Sequence, residues 1–573
     1  MTAAQRFLPL GLAALIAVSA SGPQASAAPM SSSAVKGPTA MIAAAEPDAV
    51  EAGLNVLKAG GSAVDAAVAV QAVLGLEEPQ SSGLGGGSFM VFYDAKTRKV
   101  TAYNGRETAP AAATPELFFG PDGKPLNKGA AIVSGRSAGV PGAVAMLHLA
   151  QSQHGKLAWK DLFGDAERLA TDGFHVPARM AAAASSNALQ AKQPDAIAYF
   201  TKPDGTKIQA GELFKNPAYA ATLRKIAAEG PKAILEGPIA AAIIAKLHEG
   251  PMPSTMTLQD LASYRPKATP AVCRPYREYT VCTPPAPSGG PAVLEGLGIL
   301  ARTDLPAHKN DVQGWYLVSQ ASRLMYADRD RFYGDPDFVS VPMAGLLAAD
   351  YLDARAKLIA PDMAGPPPQP GKPAGAGPRA PDRTREPGGT THFVIVDAAG
   401  NAVSMTTTVE SIFGDGKMVA GFFLNNQLTD FSFTPKDQDG APAANAVAGG
   451  KRPRSSMSPA IVLDRQGRFV VGTGSPGGPS IIAFTLKVLV GVLDWKLPVQ
   501  EAINLPNMIA FDTVYASEPA KYPAGVVTGL AARGVAVRGG PFGEGSGEQG
   551  VEMTPAGLRG GADPRREGIA KGY

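Results

Sequence analysis

The chain has 573 residues, and 45% of them are hydrophobic, so it can bury a large core. Its 53 basic and 50 acidic residues leave a formal net charge of +3, which gives no reason to expect a nucleic-acid partner or an anionic membrane surface. Length favours three or four domains, although large single sandwiches also reach this size. Two cysteines and no cluster of histidines form no metal-site pattern, and we expect neither a metal nor a cofactor.

Residues 1–27 have the pattern of a signal peptide. Arg6 supplies a short positive region, residues 7–20 are almost wholly apolar, and Ala25-Ser26-Ala27 offers a small-residue cleavage site. The apolar run is short for a membrane span, and an uncleaved N-terminal anchor is the alternative. We therefore expect a periplasmic or secreted protein without a stable membrane span.

Export permits a disulfide between the two cysteines, Cys273 and Cys282. The residues between them have the pattern of a short hairpin around Arg277-Glu278, so the pair can face each other across it. Two free buried thiols are the alternative.

The pattern is helical from Met41 to Leu74, with one interruption. Gly60-Gly61 ends the first helix, and Ser62 with Asp65 three residues later starts the second as a capping-box-like pair. This second helix is small and apolar nearly all round, so it should be buried.

Strands and further helices follow. After the glycine-rich run Gly83–Gly87 we expect strands at 88–93 and near 100–104, with Arg106 just past the second. Helical patterns then recur over residues 140–260 and 317–332.

Residues 361–389 are rich in proline and glycine and cannot bury a core, so we interpret them as a flexible linker. From Thr390 onward the pattern is that of strands. One is expected from Thr391 to Val396 and a second from Ala402 to Val409. The turn between them suits a hairpin with a bulge. If Asp397 pairs with Asn401, the register places Thr390 opposite Thr408, although a one-residue slip would undo this.

Thr390 thus lies where the linker meets a strand. A threonine hydroxyl is a weak nucleophile unless a base takes its proton, and a free α-amino group on the same residue, with a pKa of about 8, can be that base. This chemistry requires cleavage of the Gly389–Thr390 bond. From these residues alone, a structural threonine is the better interpretation.

The segment Gly388-Gly389-Thr390-Thr391-His392-Phe393 resembles the cleavage site of γ-glutamyltranspeptidases, a family of N-terminal-nucleophile hydrolases. The likeness continues in order along the chain, essentially from Met41 to Tyr573. It is carried by Gly60–Ala67, Gly83–Phe89, Arg106-Glu107, Pro287–Gly290, Tyr326–Arg329, Asp397–Val403, Gly421–Gln427, Asp430-Phe431, Lys451–Pro459, Gly474–Gly478, Asp563–Arg565 and Gly572-Tyr573.

The resemblance implies a mixed α/β (α+β) fold, a four-layer αββα sandwich made as one precursor. Cleavage would give a large chain, residues 28–389, and a small chain, residues 390–573, which together form one sandwich domain. The implied activity moves the γ-glutamyl group of glutathione and related small molecules, through an ester on Thr390, to water or to amino acids and peptides.

The same resemblance assigns roles to ten residues. Thr390 is the nucleophile for self-cleavage and catalysis, and Thr408 hydrogen-bonds it. Gly477 and Gly478 supply backbone N–H groups to an oxyanion hole, where glycine lets the backbone approach closely. A γ-glutamyl group carries a carboxylate and an ammonium, so its site needs two opposite poles. The carboxylate pole is Arg106, Ser455 and Ser456, and the ammonium pole is Glu410, Gln427 and Asp430.

The sequence departs from the family pattern in two places. Glu410 stands where asparagine is commoner. Phe433–Gly450 is shorter than the lid that many members carry over the pocket, and it has no tyrosine. The balance between water and amine acceptors therefore stays open.

Three alternatives remain. Gly135–Gly139 matches the G-x-S-x-G elbow of serine hydrolases with Ser137 as nucleophile, although Val140-Pro141-Gly142 better suggests a turn into a helix. The second is a glutaryl-type cephalosporin acylase on the same fold. The third is an exported γ-glutamyl-binding homologue that has lost its activity.

Overall fold

The computed structural model describes residues 37–382, 384, 386–540 and 545–573. The predicted signal peptide lies outside these residues. Within the described ranges, no helix is long and apolar enough to cross a membrane.

The helices of the described chain have the following bounds. They are α1 (Pro47–Lys58), α2 (Ala63–Glu77), α3 (Lys128–Ile132), α4 (Ala143–His154), α5 (Gly164–Asp172), α6 (Ala178–Ala184), α7 (Pro194–Phe200), α8 (Pro217–Glu229), α9 (Lys232–Leu235), α10 (Gly237–Leu247), α11 (Leu258–Ser263), α12 (Gly290–Leu300), α13 (Val312–Phe332), α14 (Met343–Leu346), α15 (Ala349–Ala356), α16 (Ile481–Leu493), α17 (Val499–Asn504) and α18 (Val526–Ala532).

The strands of the same ranges are mostly short. They are β1 (Met41–Ala44), β2 (Gly87–Asp94), β3 (Lys99–Asn104), β4 (Phe174–His175), β5 (Leu213–Phe214), β6 (Lys267–Pro270), β7 (Val272–Tyr276), β8 (Tyr279–Thr283), β9 (Thr390–Val396), β10 (Ala402–Thr408), β11 (Met418–Val419), β12 (Phe422–Phe423), β13 (Ala460–Leu463), β14 (Phe469–Gly474), β15 (Met508–Phe511), β16 (Val514–Ser517), β17 (Arg538–Gly539), β18 (Gln549–Thr554), β19 (Gly557–Ala562) and β20 (Ile569–Gly572).

Two antiparallel sheets face each other at the centre. One has the order β20-β1-β9-β10-β2-β3-β6 and the other β19-β18-β14-β13-β8-β7. Apolar side chains such as Val394, Ile461 and Val551 fill the space between them. Helices α1, α2 and α4 pack on the outer face of the first sheet, and α12, α13, α16 and α17 pack on that of the second. The predicted αββα sandwich is therefore confirmed.

The start of the predicted helical region is wrong. Met41–Ala44 forms strand β1, which pairs with β9 on one side and β20 on the other. Four small or apolar residues in a row fit a helix or a strand equally well, and pairing with two strands in the core of the sheet decides between them. The helices at 47–58 and 63–77 agree with the rest of the prediction.

Helix α2 begins as the sequence predicts. The Ser62 hydroxyl accepts a hydrogen bond from the Asp65 N–H at 3.1 Å, and the Asp65 carboxylate accepts one from the Ser62 N–H at 2.9 Å. Every residue of the helix is buried. The reciprocal cap fixes the start of a helix that lies against the sheet that carries Thr390.

The hairpin after the linker has the predicted register. Strands β9 and β10 pair so that Thr390 lies opposite Thr408, and the Asp397 N–H donates to the Asn401 carbonyl at 3.0 Å. Both strands are fully buried in the middle of the first sheet. The two threonines therefore lie side by side at the open end of the hairpin, opposite its turn.

The cysteines also meet across a hairpin. Strands β7 and β8 pair Cys273 with Cys282, and a disulfide joins them. The turn lies at Arg277-Glu278, as predicted, and Arg277 has a positive φ of 55°. The disulfide therefore joins β7, the edge strand of the second sheet, to its neighbour β8.

The linker follows the surface of the fold. Its described residues before Thr390 form no helix or strand. Arg323 donates to the carbonyls of Gly365 and Pro366 at 3.1 and 2.8 Å, and Asp328 accepts from the Gly371 N–H at 2.6 Å. Near its end the segment becomes buried, and it enters the site described next.

Candidate active site

Nine of the ten predicted site residues line one small cavity of about 20 Å³. The tenth, Gly477, directly precedes a lining residue in the chain. The nine are Arg106, Thr390, Thr408, Glu410, Gln427, Asp430, Ser455, Ser456 and Gly478. These residues come from the ends of β3, β9, β10 and β14 and from the loops between them, so the fold brings distant parts of the chain to one place.

Two hydroxyls and a carbonyl form the centre of the site. The Oγ1 atoms of Thr390 and Thr408 are 3.0 Å apart, and Thr408 Oγ1 donates to the Gly389 carbonyl oxygen at 2.7 Å. Thr408 Oγ1 also accepts from the Glu410 N–H at 2.8 Å. A hydroxyl has a single proton, so Thr408 cannot donate to Thr390 as well. The Thr390 hydroxyl therefore donates to Thr408.

The carbonyl oxygen of Thr390 has its own partner. The Arg566 guanidinium donates to it at 3.0 Å. Burial, with the nearby Arg179, lowers the pKa of Arg566 to about 9. Arg566 also lies 3.6 Å from the Glu78 carboxylate, which ties the start of β9 to the first sheet's helical layer.

The two glycines lie in a tight turn before α16. Gly477 and Gly478 have φ values of 129° and 57°, which side chains rarely permit. A Cβ atom at Gly478 would lie 2.7 Å from the Glu386 carbonyl oxygen and 2.8 Å from that of Pro387. The backbone at Glu386 and Pro387, shortly before Thr390, thus runs directly over Gly478.

Arg106 is held by a fork of acceptors. Its Nη2 atom donates to Asp430 at 2.7 Å and to the Arg454 carbonyl at 2.6 Å, and its Nε atom donates to the Pro453 carbonyl at 3.2 Å. The side chain is 1% exposed. The guanidinium of the predicted carboxylate pole is therefore fixed in position against Asp430 of the predicted ammonium pole.

The ammonium pole has three acceptor atoms without a hydrogen-bond partner. They are Glu410 Oε1, Gln427 Oε1 and Asp430 Oδ1, and all three are buried. The other atoms of the group are paired, since Gln427 donates to Asp430 at 2.6 Å and Ser411 donates to Glu410 at 2.7 Å. An ammonium group has three N–H donors. Burial, together with the Asp430 carboxylate, raises the pKa of Glu410 well above its usual range.

Glu410 also has an unusual backbone. Its φ is 82°, in the left-handed region that disfavours a glutamate. Asparagine tolerates this region better than glutamate does. Such strain is typical of residues whose position is fixed by a site.

The two serines of the carboxylate pole have different partners. Ser455 Oγ accepts from the Met457 N–H at 3.1 Å, and Ser456 Oγ accepts from Arg329 at 2.7 Å. The Ser455 hydroxyl therefore retains its proton for an acceptor in the cavity, whereas the Ser456 hydroxyl is hydrogen-bonded to the Glu386 carboxylate.

Sequence reasoning missed part of the site. Pro387, Met457 and Ile481 complete the cavity lining together with Glu386, whose carboxylate contacts Arg329. Arg329 lies in Tyr326–Arg329, one of the segments that resemble the family, but the resemblance assigned no role to Arg329. Glu386 lies in the linker, where nothing local marks it as buried.

The serine-hydrolase alternative is wrong. Ser137 closes a single 3-10 turn after α3, so no strand leads into it. Its buried hydroxyl donates to the Ser134 carbonyl at 2.8 Å. A nucleophile elbow needs a strand-to-helix turn with an exposed hydroxyl, and this segment has neither.

The short lid segment, Phe433–Gly450, begins beside a large cavity. Phe433 stacks on Phe118 with ring centroids 4.7 Å apart. Asn445 donates to the Asp430 carbonyl at 2.6 Å and so ties the segment to the ammonium pole. A cavity of about 570 Å³ lies between Phe433 and linker residues that include Asp382.

The αββα sandwich and a threonine at the start of a central strand define an N-terminal-nucleophile hydrolase fold. The sequence model of γ-glutamyltranspeptidase matches residues 49–573. The chain is 36% identical over 485 residues to the glutathione hydrolase proenzyme of Bacillus subtilis (strain 168), which covers 82% of this chain and 81% of that one.

Solved structures agree with this fold. The cephalosporin acylase of Bacillus halodurans superposes with a TM-score of 0.81 at 25% identity, over 96% of this chain and 99% of that one. The γ-glutamyltranspeptidase of Helicobacter pylori gives a TM-score of 0.54 at 32% identity, over 57% and 93%. The chain belongs to the γ-glutamyltranspeptidase family, and it is a γ-glutamyl hydrolase or transferase.

Proposed function

We propose that this enzyme is exported, cuts itself between Gly389 and Thr390, and then cleaves the γ-glutamyl amide of glutathione and related compounds. The acyl group passes through an ester on Thr390 to water or to an amino acid or peptide. The similarity to a glutathione hydrolase proenzyme supports both the donor and the processing.

Self-cleavage follows from the hydrogen bonds around the Gly389 carbonyl. Thr390 Oγ1 attacks the Gly389 carbonyl carbon, and the Thr408 hydroxyl stabilises the oxyanion that forms. The proton of the Thr390 hydroxyl ends on the Thr390 nitrogen as the C–N bond breaks, which leaves an ester. Water then hydrolyses the ester to a Gly389 carboxylate and a free Thr390 amine.

Turnover of a donor repeats the acyl step with the new amine as base. The Thr390 amine takes the proton of its own hydroxyl while Oγ1 attacks the γ-carbonyl carbon. Gly477 and Gly478 supply N–H donors to the oxyanion, and the amine returns the proton to the leaving nitrogen. Water or an amine acceptor then attacks the carbonyl carbon of the ester and gives its proton to the Thr390 amine. The Thr390 oxygen leaves and takes that proton back, which restores the hydroxyl.

One observation carries the choice of donor. Glu410 Oε1, Gln427 Oε1 and Asp430 Oδ1 are buried, and with Glu410 ionised they can accept the three N–H donors of an α-ammonium group. A glutaryl group has a methylene at that position, so it would leave the same oxygens buried without partners, at a cost of about 1–3 kcal/mol for each unmet group. This favours a γ-glutamyl donor over the glutaryl donor of an acylase, and the intact catalytic group favours an enzyme over a binding protein.

The experiment compares kcat/KM for matched γ-glutamyl and glutaryl anilides on the processed enzyme. Discounting for a partly wet pocket, we expect a preference of about 30- to 1000-fold for the γ-glutamyl donor, since each factor of ten is about 1.4 kcal/mol. Asp430→Asn should shrink the ratio, mainly by weakening the γ-glutamyl donor. Equal values in the wild type, or a glutaryl preference, would overturn the proposed donor.

N-terminal sequencing of the purified protein tests the processing. The small chain should begin at Thr390, and Thr390→Ala should stay whole. A small chain with any other first residue would contradict the assignment of the nucleophile.

A further inference from the structure

Two buried arginines lie beside Ser456 and hold a carboxylate that belongs to the linker. The Arg329 side chain is 3% exposed and that of Arg454 is 1% exposed. The Glu386 carboxylate contacts Arg329 Nη2 and lies 3.7 Å from Arg454 Nε. Burial opposes the charge of Glu386, but Arg329, Arg454 and the Ser456 hydroxyl lower its pKa to about 2. Glu386 is therefore ionised.

The arginine pair, Arg329 and Arg454, has donors to spare. Arg329 Nε, Arg454 Nε and Arg454 Nη1 are buried without a hydrogen-bond partner. A carboxylate has two oxygens that can accept from a guanidinium fork, and Glu386 satisfies only part of that capacity. Arg454 Nε and Nη1 lie 3.7 Å from Glu386 and 3.5 Å from Asp330, so both are in ion pairs that are too long for a hydrogen bond and could contact an anion more closely.

Two of the three acids around the pair lie in the linker. Asp382 is 3.3 Å from Arg454, and Asp330 is 3.0 Å from Arg329 and 3.5 Å from Arg454. Asp382 and Glu386 both precede Thr390 in the linker, whereas Asp330 lies on α13 and its side chain is 36% exposed. If the linker withdraws, two buried guanidinium groups retain one partly exposed acid.

Catalysis requires that withdrawal. With Glu386 and Pro387 in its wall, the cavity of about 20 Å³ has room for about one water molecule. A γ-glutamyl group is several times larger, so the residues before Thr390 must leave before a donor enters. A buried charge that loses its partner is costly, and a replacement anion would therefore bind there.

We propose that Arg329 and Arg454 form a carboxylate subsite, which Glu386 fills in the uncut chain and a substrate carboxylate fills after cleavage. In the uncut chain the contact anchors residues 386–389 over Gly478 and so positions the Gly389 carbonyl. The inference rests on the proposed function, because it requires cleavage before Thr390.

Two carboxylates of a substrate can reach the subsite. The α-carboxylate of the donor would reach it beside Ser456, which bridges the catalytic cavity and Arg329. A carboxylate on the leaving or accepting peptide would reach it through a neighbouring cavity of about 390 Å³, which Arg329 and Pro479 line next to Gly478. The ligand chemistry is the same in both cases, and the experiment below separates the sources.

The first test measures self-cleavage of the full chain. Glu386→Gln keeps the shape but loses the charge, and it should slow the appearance of the small chain about tenfold or more. Glu386→Asp, which keeps the charge, should recover part of the rate. Asp362→Asn removes an exposed acid from the same linker and serves as the matched control, with wild-type processing. Equal rates for Glu386→Gln and the control would overturn the anchoring role.

The second test uses processed Arg454→Gln with three donors. They are the γ-glutamyl para-nitroanilide, the same donor with a carboxylate on the leaving ring, and the same donor with its α-carboxylate converted to an amide. If the α-carboxylate is the ligand, kcat/KM falls about tenfold or more for the first two and not for the amide. If the leaving-group carboxylate is the ligand, it falls for the ring-carboxylated donor alone. No fall for any donor would overturn the subsite in the cut enzyme.

A measurement on the wild type covers the case in which Arg454→Gln is not processed. The acetylated peptide Glu-Pro-Gly-Gly, the sequence of residues 386–389, should inhibit the processed enzyme competitively, and Gln-Pro-Gly-Gly should bind about tenfold more weakly. Equal inhibition would overturn the subsite. Failure of the proposed function would appear separately, as a small chain that does not begin at Thr390.

Discussion

Thr408 donates a 2.7 Å hydrogen bond to the carbonyl oxygen of Gly389, the group that self-cleavage attacks. The same hydroxyl oxygen lies 3.0 Å from Oγ1 of Thr390, the proposed nucleophile. One side chain thus contacts both reacting groups, and it can stabilise charge on the carbonyl oxygen while it accepts a hydrogen bond from the attacking hydroxyl. This relationship depends on the hairpin register that places Thr408 opposite Thr390.

Replacing Thr408 should therefore slow self-cleavage. Thr408→Val keeps the shape of the side chain and removes the hydroxyl, and we expect the rate to fall about 100- to 1000-fold, the loss typical of one oxyanion donor. Thr408→Ser keeps the hydroxyl and should retain much of the rate. A time course on denaturing gels gives both rates, and unchanged cleavage in Thr408→Val would refute the role.

Arg106→Lys tests the carboxylate pole. Asp430 and two backbone carbonyls hold the Arg106 guanidinium in place, and lysine cannot reproduce this arrangement. The substrate carboxylate should therefore lose a charge-assisted contact that depends on the position of the guanidinium. We expect kcat/KM to fall by a factor that corresponds to a loss of about 1–3 kcal/mol of transition-state stabilisation. Processing should survive, because the precursor binds no donor. Unchanged kinetics with the γ-glutamyl anilide would remove Arg106 from the binding site.

Removing the disulfide should affect stability and not the site. The Cys273–Cys282 loop closes over a separation of nine residues, so the double variant Cys273→Ser/Cys282→Ser should lower the free energy of unfolding by at most about 2–3 kcal/mol. Chemical denaturation measures the difference, and donor turnover is the control. Thiol alkylation of natively secreted protein should find no free thiol, and finding two would contradict the bond.

Local patterns predicted the parts of the site that local geometry determines. A turn with Asp397 and Asn401 fixed the register of a hairpin, and from it the meeting of Thr390 and Thr408. The Ser62–Asp65 cap likewise depends on four consecutive residues. The roles of the remaining predicted residues came from resemblance to a family, because Arg106 and Asp430 are 324 residues apart and no pattern links them.

The sequence could not indicate the features that arise from packing. Met41–Ala44 became a strand because two strands flank it in the folded sheet. Glu386 sits in a segment whose composition suggests a solvated linker, and only the folded chain brings it to Arg329 and Arg454. Such contacts between a low-complexity segment and distant buried charges have no local signal.

The last prediction concerns the pH dependence of binding at the ammonium pole. Burial and Asp430 raise the pKa of Glu410, so this carboxyl keeps its proton in the free enzyme at pH values where an ordinary glutamate has lost it. Glu410 therefore stabilises the fold less as the pH rises toward its raised pKa. A bound ammonium favours the ionised form, and its binding must displace the Glu410 proton below that pKa.

The inhibition constant of L-glutamate should therefore fall as the pH rises from about 5 to about 8, by up to about tenfold per pH unit while Glu410 is protonated. Glutarate lacks the ammonium and should show no such improvement. Glu410→Gln removes the titrating group, so its L-glutamate constant should vary much less over the same range. The measurement is competitive inhibition of anilide turnover at each pH. Parallel curves for L-glutamate and glutarate in the wild type would show that Glu410 does not face the ammonium.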